Sequence, residues 1–522
     1  MSSVVLWAVL LTGVVVLTPL ADRLRVPLPV LLTVFGLAMP LVPGVPPLTI
    51  EPSIILPVVL PPLLFAATQR ATANEFRQDA RPILLLAVGL TVASTAAVAG
   101  AVRLAGFDWP TAVVLGAVVA PPDPVAATAV ARRLRLPDRL VTVLEGEGMF
   151  NDATALVLYK LAVAAVVTGG VSLVDIGGGL VLAVVGGIAI GLVAGVLSRF
   201  ALAALHDATA ETTVTVAVPF VVYLVAEELH GSGVLAVLTV GLFLRTYSHT
   251  AVTSGGWLLG RAVWRYADYV ITSLVFVLIG FELTEVLKGS HVATRTVQVA
   301  ALVVAVLVAV RFGWMFPATA LARLRRGRQR TASPYGPRET VVAAWAGMRG
   351  VVTVATALAL PTTTDAGAPF PVRDQIVFMA LVTVLVTLVV QGLTLAPLVK
   401  ALAVGSESDV PREVASLRRR ATEAALEAVR AVAPTDQVPP SVRAAVILQY
   451  EGFLAAQTAL GSARAGADDA VDYPGELEQL LHRASEAERT VVLQARRHGE
   501  VSAEVADTVM QDVEARAVRD LG

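Results

Sequence analysis

The sequence predicts an all-α polytopic membrane protein of about 13 transmembrane helices with a cytoplasmic helical tail. Three observations carry this. Apolar residues make up 56% of the 522-residue chain and charged ones only 16%, and the mean hydropathy is +0.73. Soluble domains carry roughly a quarter charged residues. Apolar stretches close to the ~20 residues that cross a bilayer as helix follow one another as far as position 400, with short turns between them. Beyond 401 charge mixes with Leu, Ala and Val at helical spacing. The same composition limits function. The chain has no cysteine, which excludes disulfides and thiolate metal sites. A net charge of −1 argues against nucleic acid as the main partner. No Walker A, metalloprotease or nucleotide-binding pattern occurs, which argues against ATP coupling, an enzyme or a bound cofactor.

The apolar stretches fall at 4–20, 28–43, 53–69, 82–104, 109–131, 141–167, 174–199, 212–229, 231–246, 266–287, 292–317, 338–360 and 372–399. The first lacks a basic n-region and ends in "ADRLR" without a small-residue cleavage site, so it reads as a helix and not as a signal peptide. The second and third are short and proline-rich, and the ninth is barely long enough. Basic segments lie at 22–25, 70–81, 131–139, Arg261 with Arg265, and 323–330, which follow spans 1, 3, 5, 9 and 11. Loops after even spans are nearly free of base. The positive-inside rule therefore places the N-terminus outside and the tail in the cytoplasm of a multi-pass cell-membrane protein. Residues 1–400 form the membrane domain and 401–522 the cytoplasmic helical domain. The tail reads equally as a regulatory or dimer-contacting domain and as an amphipathic helix pair that packs on itself.

A charge inside a spanning helix costs several kcal/mol and normally faces the bundle interior or a wet cavity. Glu227 and Glu228 lie at the end of span 8, and Asp268 and Glu282 near the ends of span 10, where side chains reach the headgroups. Lys160 is deeper and either snorkels or meets an internal carboxylate. Asp123 stands in "VVAPPDPVAATA", inside span 5, flanked by prolines at 121, 122 and 124 that cannot sustain a continuous helix. A broken helix at membrane depth places an ion site at the break. In "EGEGMFNDATALVLYK", Glu147 and Asn151 are i,i+4 on one helix face and Asp152 is turned one residue further round. All three can look into one cavity, where a proton and a metal cation compete for the same carboxylate oxygens. Asn151 adds donor and acceptor without charge.

A second break is expected in span 12, "VVAAWAGMRGVVTVATALAL", at Gly347 and Gly350 around a mid-span Arg349. Its expected partner is Glu147. If spans 1–6 and 8–13 are two halves with span 7 as linker, the breaks occupy the fifth position of each, as in an inverted-repeat secondary transporter.

At these residues the sequence resembles the monovalent cation:proton antiporter-1 family, the bacterial and archaeal Na⁺/H⁺ antiporters related to animal sodium/proton exchangers. "EGMFNDATALVL" resembles its Glu-Ser-Leu-Leu-Asn-Asp segment, "PPDPVA" the Asp-Pro motif of the broken fifth helix, "WAGMRG" its Gly-Leu-Arg-Gly segment and "LPPLLF" its third-helix signature. The four motifs keep the family's order across roughly residues 1–400. The resemblance implies exchange of Na⁺ or K⁺ for H⁺ by alternating access, with Asp152 as main ion- and proton-binding carboxylate and Asp123 as its partner. It implies that Asn151 holds the broken helix and that Glu147 with Arg349 forms a structural tie. It further implies a homodimer, with spans 1–3 and 8–10 as scaffold and spans 4–6 and 11–13 as mobile core. Three departures bear on cation choice: Gly148 stands where a serine often follows the glutamate, Pro122 where a threonine often precedes the aspartate, and apolar "LLFAAT" where some archaeal members carry a third-helix acid. With Glu147 tied up and Asn151 beside Asp152, electroneutral exchange of one cation for one proton is expected. The rival reading is an acidic-cavity cation channel or a regulatory membrane protein without coupled transport, and paired helix breaks favour alternating access over a pore.

Overall fold

In the computed structural model the described residues are 3–24, 26–46, 51–69, 84–123, 127–128, 136, 138–168, 173–247, 251–289, 293–325, 336–404, 410–431, 439–465 and scattered positions beyond. The basic segment at 70–81, residues 131–135 and 326–335, and most of the chain after 465 lie outside them. The chain divides into two compact units, Met1–Glu407 and Ser408–Gly522.

Within the first unit the helices are α1 (Ser3–Leu24), α2 (Leu28–Ala38, continued by a 3₁₀ turn Met39–Leu41), α3 (Pro52–Thr68), α4 (Leu85–Leu104, opening on a π turn), α5 (Trp109–Val119) and α6 (Asp138–Val167). They continue as α7 (Leu173–Ala204), α8 (Ala208–Glu228), α9 (Gly233–Tyr247), α10 (Ser254–Gly289), α11 (Thr294–Arg325), α12 (Pro337–Trp345), α13 (Val351–Leu358) and α14 (Arg373–Leu402). Starts are set by familiar chemistry: Asp207 accepts from the Ala210 N–H at 2.8 Å, and Glu339 reaches back to the Gly336 N–H at 2.6 Å.

Among the described residues eight helices are long and apolar enough to cross a membrane, and four shorter apolar helices accompany them: Leu28–Leu41, Pro52–Thr68, Trp109–Val119 and Gly233–Tyr247. Length alone therefore gives fewer than the thirteen crossings expected from sequence. The stretches that fall short are those with internal proline, a break or few residues: spans 2, 3, 5, 9 and 12.

The packing sorts these helices into two groups. α1, α2 and α3 pack with α8, α9 and α10, and α7 lies on α9 and α8. α4, α5 and α6 pack with one another, with α4 on α11 and α11 on α12 and α14. Contacts between the groups run mainly through α13 and α14 against α2, α3 and α10. The most extensive pairing is α2 with α10, where the backbones touch. A Cβ on Gly280 would overlap the Thr33 carbonyl, and one on Gly36 the Val277 carbonyl. Small residues permit this approach, which replaces the hydrophobic drive that lipid cannot supply.

In the second unit α15 (Val410–Ala431) and α16 (Pro440–Ala465) form an antiparallel pair. Gln457 donates to Thr422 at 3.1 Å, and Arg430 meets Glu451 at 2.6 Å.

Gly280→Val is expected to force α2 from α10, an overpacking penalty of about 1–3 kcal/mol or more where backbone is struck. Gly313→Ala, at a position with open space around it, serves as control. Fluorescence size exclusion of detergent-solubilised protein should show loss of the monodisperse peak for the first variant and not the second.

Candidate functional site

Two helix breaks meet in the second group. α5 stops at Val119 because Pro121 and Pro122 cannot donate to the preceding turn. α12 stops at Trp345 and α13 starts at Val351, leaving 346–350 outside helix. The freed backbone groups satisfy each other. The Asp123 N–H donates to the Met348 carbonyl at 2.7 Å. Arg349 donates from Nε to the Val119 carbonyl at the buried C-terminal end of α5, at 2.7 Å, and from Nη1 to the Gly347 carbonyl at 2.6 Å. The Arg349 N–H in turn donates to Thr387 Oγ1 of α14 at 3.1 Å. From α6, Asn151 donates from Nδ2 to the Pro122 carbonyl at 3.0 Å. A guanidinium and an amide thus stand in for the water that a bilayer withholds.

The carboxylate of Asp123 is buried and lies directly against Gly350, where any Cβ would collide with it. Gly350 precedes the N-terminus of α13, whose positive end favours an anion. Asn151 is fully buried, and its Oδ1 has no hydrogen-bond partner among the described residues. Asp152 is partly buried. Among the described residues no hydrogen bond or ion pair engages its carboxylate, and it lies close enough to Asp123 for the two to interact electrostatically. The arrangement offers two acids and one neutral oxygen around a common region, a donor set able to hold either a proton or a small cation.

One expected contact is wrong. No hydrogen bond or ion pair joins Glu147 to Arg349, although the two charges lie close enough to interact electrostatically. Glu147 is held by Arg311 of α11 in a two-pronged pair, Nη1 to Oε1 at 2.5 Å and Nη2 to Oε2 at 3.0 Å, with both side chains buried. Arg311 also donates to the Ala343 carbonyl of α12 at 3.1 Å, and the missing side chain of Gly347 makes room for it. The physical reason is the break itself. Its bare carbonyls satisfy the Arg349 guanidinium without a carboxylate, which leaves Glu147 to a straight helix that can present a fork to it. Arg311 is not among the residues singled out from sequence. Its signal was present: an arginine in the middle of the apolar helix Thr294–Ala320, far from the Arg295 at its start.

Glu227 also departs from expectation. Expected at the headgroups, it pairs with Lys160 of α6, and it accepts the Gly233 N–H at 2.9 Å at the start of α9.

Removing one partner of a buried pair costs about 3–5 kcal/mol, because the other charge is left unpaired. Arg311→Ala should therefore lower the melting temperature and yield of purified protein. An Arg311→Met, Glu147→Leu double variant should recover most of the loss. Strict additivity in thermal melts would show that the pair contributes no coupling.

The comparisons with known proteins agree in one direction. Residues 9–401 match the family model described as "Sodium/hydrogen exchanger, transmembrane". An uncharacterised Na⁺/H⁺ exchanger of Mycobacterium bovis is 32% identical over 521 residues, covering 97% of this chain and 93% of that one. A sodium, potassium, lithium and rubidium/H⁺ antiporter of Bacillus pumilus is 29% identical over 423 residues, 78% of this chain and 62% of that one. The solved structure of the sodium proton antiporter MjNhaP1 from Methanocaldococcus jannaschii superposes with a TM-score of 0.60 at 17% sequence identity, covering 76% of this chain and 97% of that one. The last likeness concerns the fold: an all-α polytopic membrane protein of inverted-repeat type.

Proposed function

The chain belongs to the sodium/hydrogen exchanger family, and from that premise we propose how its residues carry out exchange. It is a secondary active antiporter that exchanges Na⁺ or a related monovalent cation for H⁺ across a membrane. Asp152 is the carrier. The single observation that supports this is a carboxylate inside the bundle with no bonded partner among the described residues, beside Asp123 where the two broken helices cross. A carboxylate already bonded to a guanidinium, as Glu147 is, has no such freedom.

The cycle follows from competition. With a proton on the Asp123–Asp152 pair, the region carries less negative charge and costs less to hold away from water. With a cation, the carboxylates and the free Asn151 Oδ1 supply oxygens, and water or backbone carbonyls complete the shell. An empty pair leaves two like charges together, the costliest state, and that state is the one least able to cross. This enforces exchange and disfavours leak. Asn151 and Arg349 keep the breaks in register by holding Pro122 and Val119. Arg349 is a positioning residue.

The second helix group, α4–α6 with α11–α14, moves against the first as a unit. Counting the four short apolar helices and the interrupted α12–α13 as one crossing each, beside the eight long ones, gives thirteen crossings. The N-terminus then lies outside and the 401–522 tail in the cytoplasm. The dimer is formed through the first group. Gly148, Pro122 and the apolar third helix leave few protein oxygens, so Na⁺ and K⁺ are both candidate cargoes; the similar Bacillus pumilus protein is named for several alkali cations.

In proteoliposomes with an imposed pH gradient, added Na⁺ or K⁺ should collapse the gradient for the unmodified chain. Asp152→Asn should insert and remain monodisperse yet give only background exchange, since an amide cannot release a proton. Near-normal exchange by that variant would exclude Asp152 as carrier.

Stoichiometry is tested with voltage. One net charge crossing 100 mV is worth about 2.3 kcal/mol. Since Glu147 is occupied by Arg311, one cation should replace one proton, and clamped potentials of either sign should leave the reversal point for Na⁺ unchanged. A shift with voltage would mean additional titrating groups.

A further inference from the structure

Asp152, Leu156 and Lys160 follow one another at i,i+4 spacing along α6 and form a single stripe. Asp152 is partly buried, Leu156 is 1% exposed, and Lys160 ends the stripe in the ion pair with Glu227. At 1.5 Å per residue Lys160 lies about 12 Å along the helix from Asp152, toward the Val167 end of α6. Glu227 is the penultimate residue of α8, at the same end. The pair therefore joins the helix that carries the acids to the opposite helix group. Glu227 is also pinned within that group, because it accepts the N–H of Gly233.

A second charge relation spans the groups at the same end. Arg373, the first residue of α14, interacts electrostatically with Glu282 of α10 while donating to the Leu360 carbonyl at 3.0 Å. The buried Tyr159 and Tyr223 flank the Lys160–Glu227 pair. Contacts of α6 with the first group are otherwise sparse.

We propose that Lys160 and Glu227 form a latch that closes the access path on the N-terminal face of the membrane, and that outward opening requires this ion pair to separate. The inference rests on the antiport reading for its meaning, though not for its test. Leu156 seals the stripe between latch and acid. Movement of α6 away from α8 would break the pair and expose Leu156 to water before it exposes Asp152. The latch sets how often the site faces outward, and it contributes nothing to cation coordination.

The cysteine-free chain makes a direct test simple. Leu156→Cys is introduced into the full-length protein in oriented membranes, and the rate of labelling by a membrane-impermeant maleimide is measured from the N-terminal face. Glu227→Gln or Lys160→Gln in that background should raise the rate by about two- to five-fold, the population shift expected from loss of a partly exposed pair. The exchanged pair Lys160→Glu, Glu227→Lys should return it toward the parent value, which a merely disrupted fold would not do. An unchanged labelling rate in the single variants, or equal acceleration in the exchanged pair, would overturn the latch. Exchange by the parent chain, measured separately, tests the antiport reading. If that exchange is absent while labelling follows the charges, the antiport reading fails and the latch stands.

Discussion

A helix broken inside a bilayer releases backbone donors and acceptors that no water can solvate, each at a cost of several kcal/mol. Here two breaks cancel that cost by crossing. The Asp123 N–H finds the Met348 carbonyl, Arg349 finds the Val119 and Gly347 carbonyls, and Asn151 finds the Pro122 carbonyl. Neither break is tolerable alone. Span 5 and span 12 must therefore be packed together, with α6 beside them, before either can sit at membrane depth. The position of Asp123 against Gly350 follows from that crossing.

The remaining buried charges divide by whether their partner is fixed. Glu147 is locked by a two-pronged Arg311 that also donates to the Ala343 carbonyl, so α6, α11 and α12 are joined at one point. Asp152 has no such partner among the described residues. In the exchange cycle proposed above, the structural carboxylate is the saturated one and the carrier is the one left without a fixed partner. The Lys160–Glu227 pair is of a third kind, half-exposed and hence weak enough to be made and broken.

Much of this was legible in one dimension. The apolar stretches and the basic loops between them are local properties of composition, and helix formation in lipid leaves the backbone no alternative. Prolines around Asp123 and glycines around Arg349 announced the breaks, since both residue types act on the chain where they stand. The Asn151–Asp152 pair stood out because charge in an apolar helix is rarely incidental.

Sequence by itself therefore determined the class of fold, and it singled out the places where α5 stops and α12 gives way to α13 and the acids Asp123 and Asp152 as the residues to watch. It could not decide which arginine meets Glu147, because Arg311 and Arg349 both stand in mid-span of an apolar stretch, and only the three-dimensional path of α11 brings the former's fork to the carboxylate. Nor could it decide that Lys160 reaches Glu227, 67 positions away. Pairing between distant charges is a property of helix packing, and packing between apolar helices depends on surface shape at points such as Gly36 and Gly280, whose effect is felt only when two backbones meet.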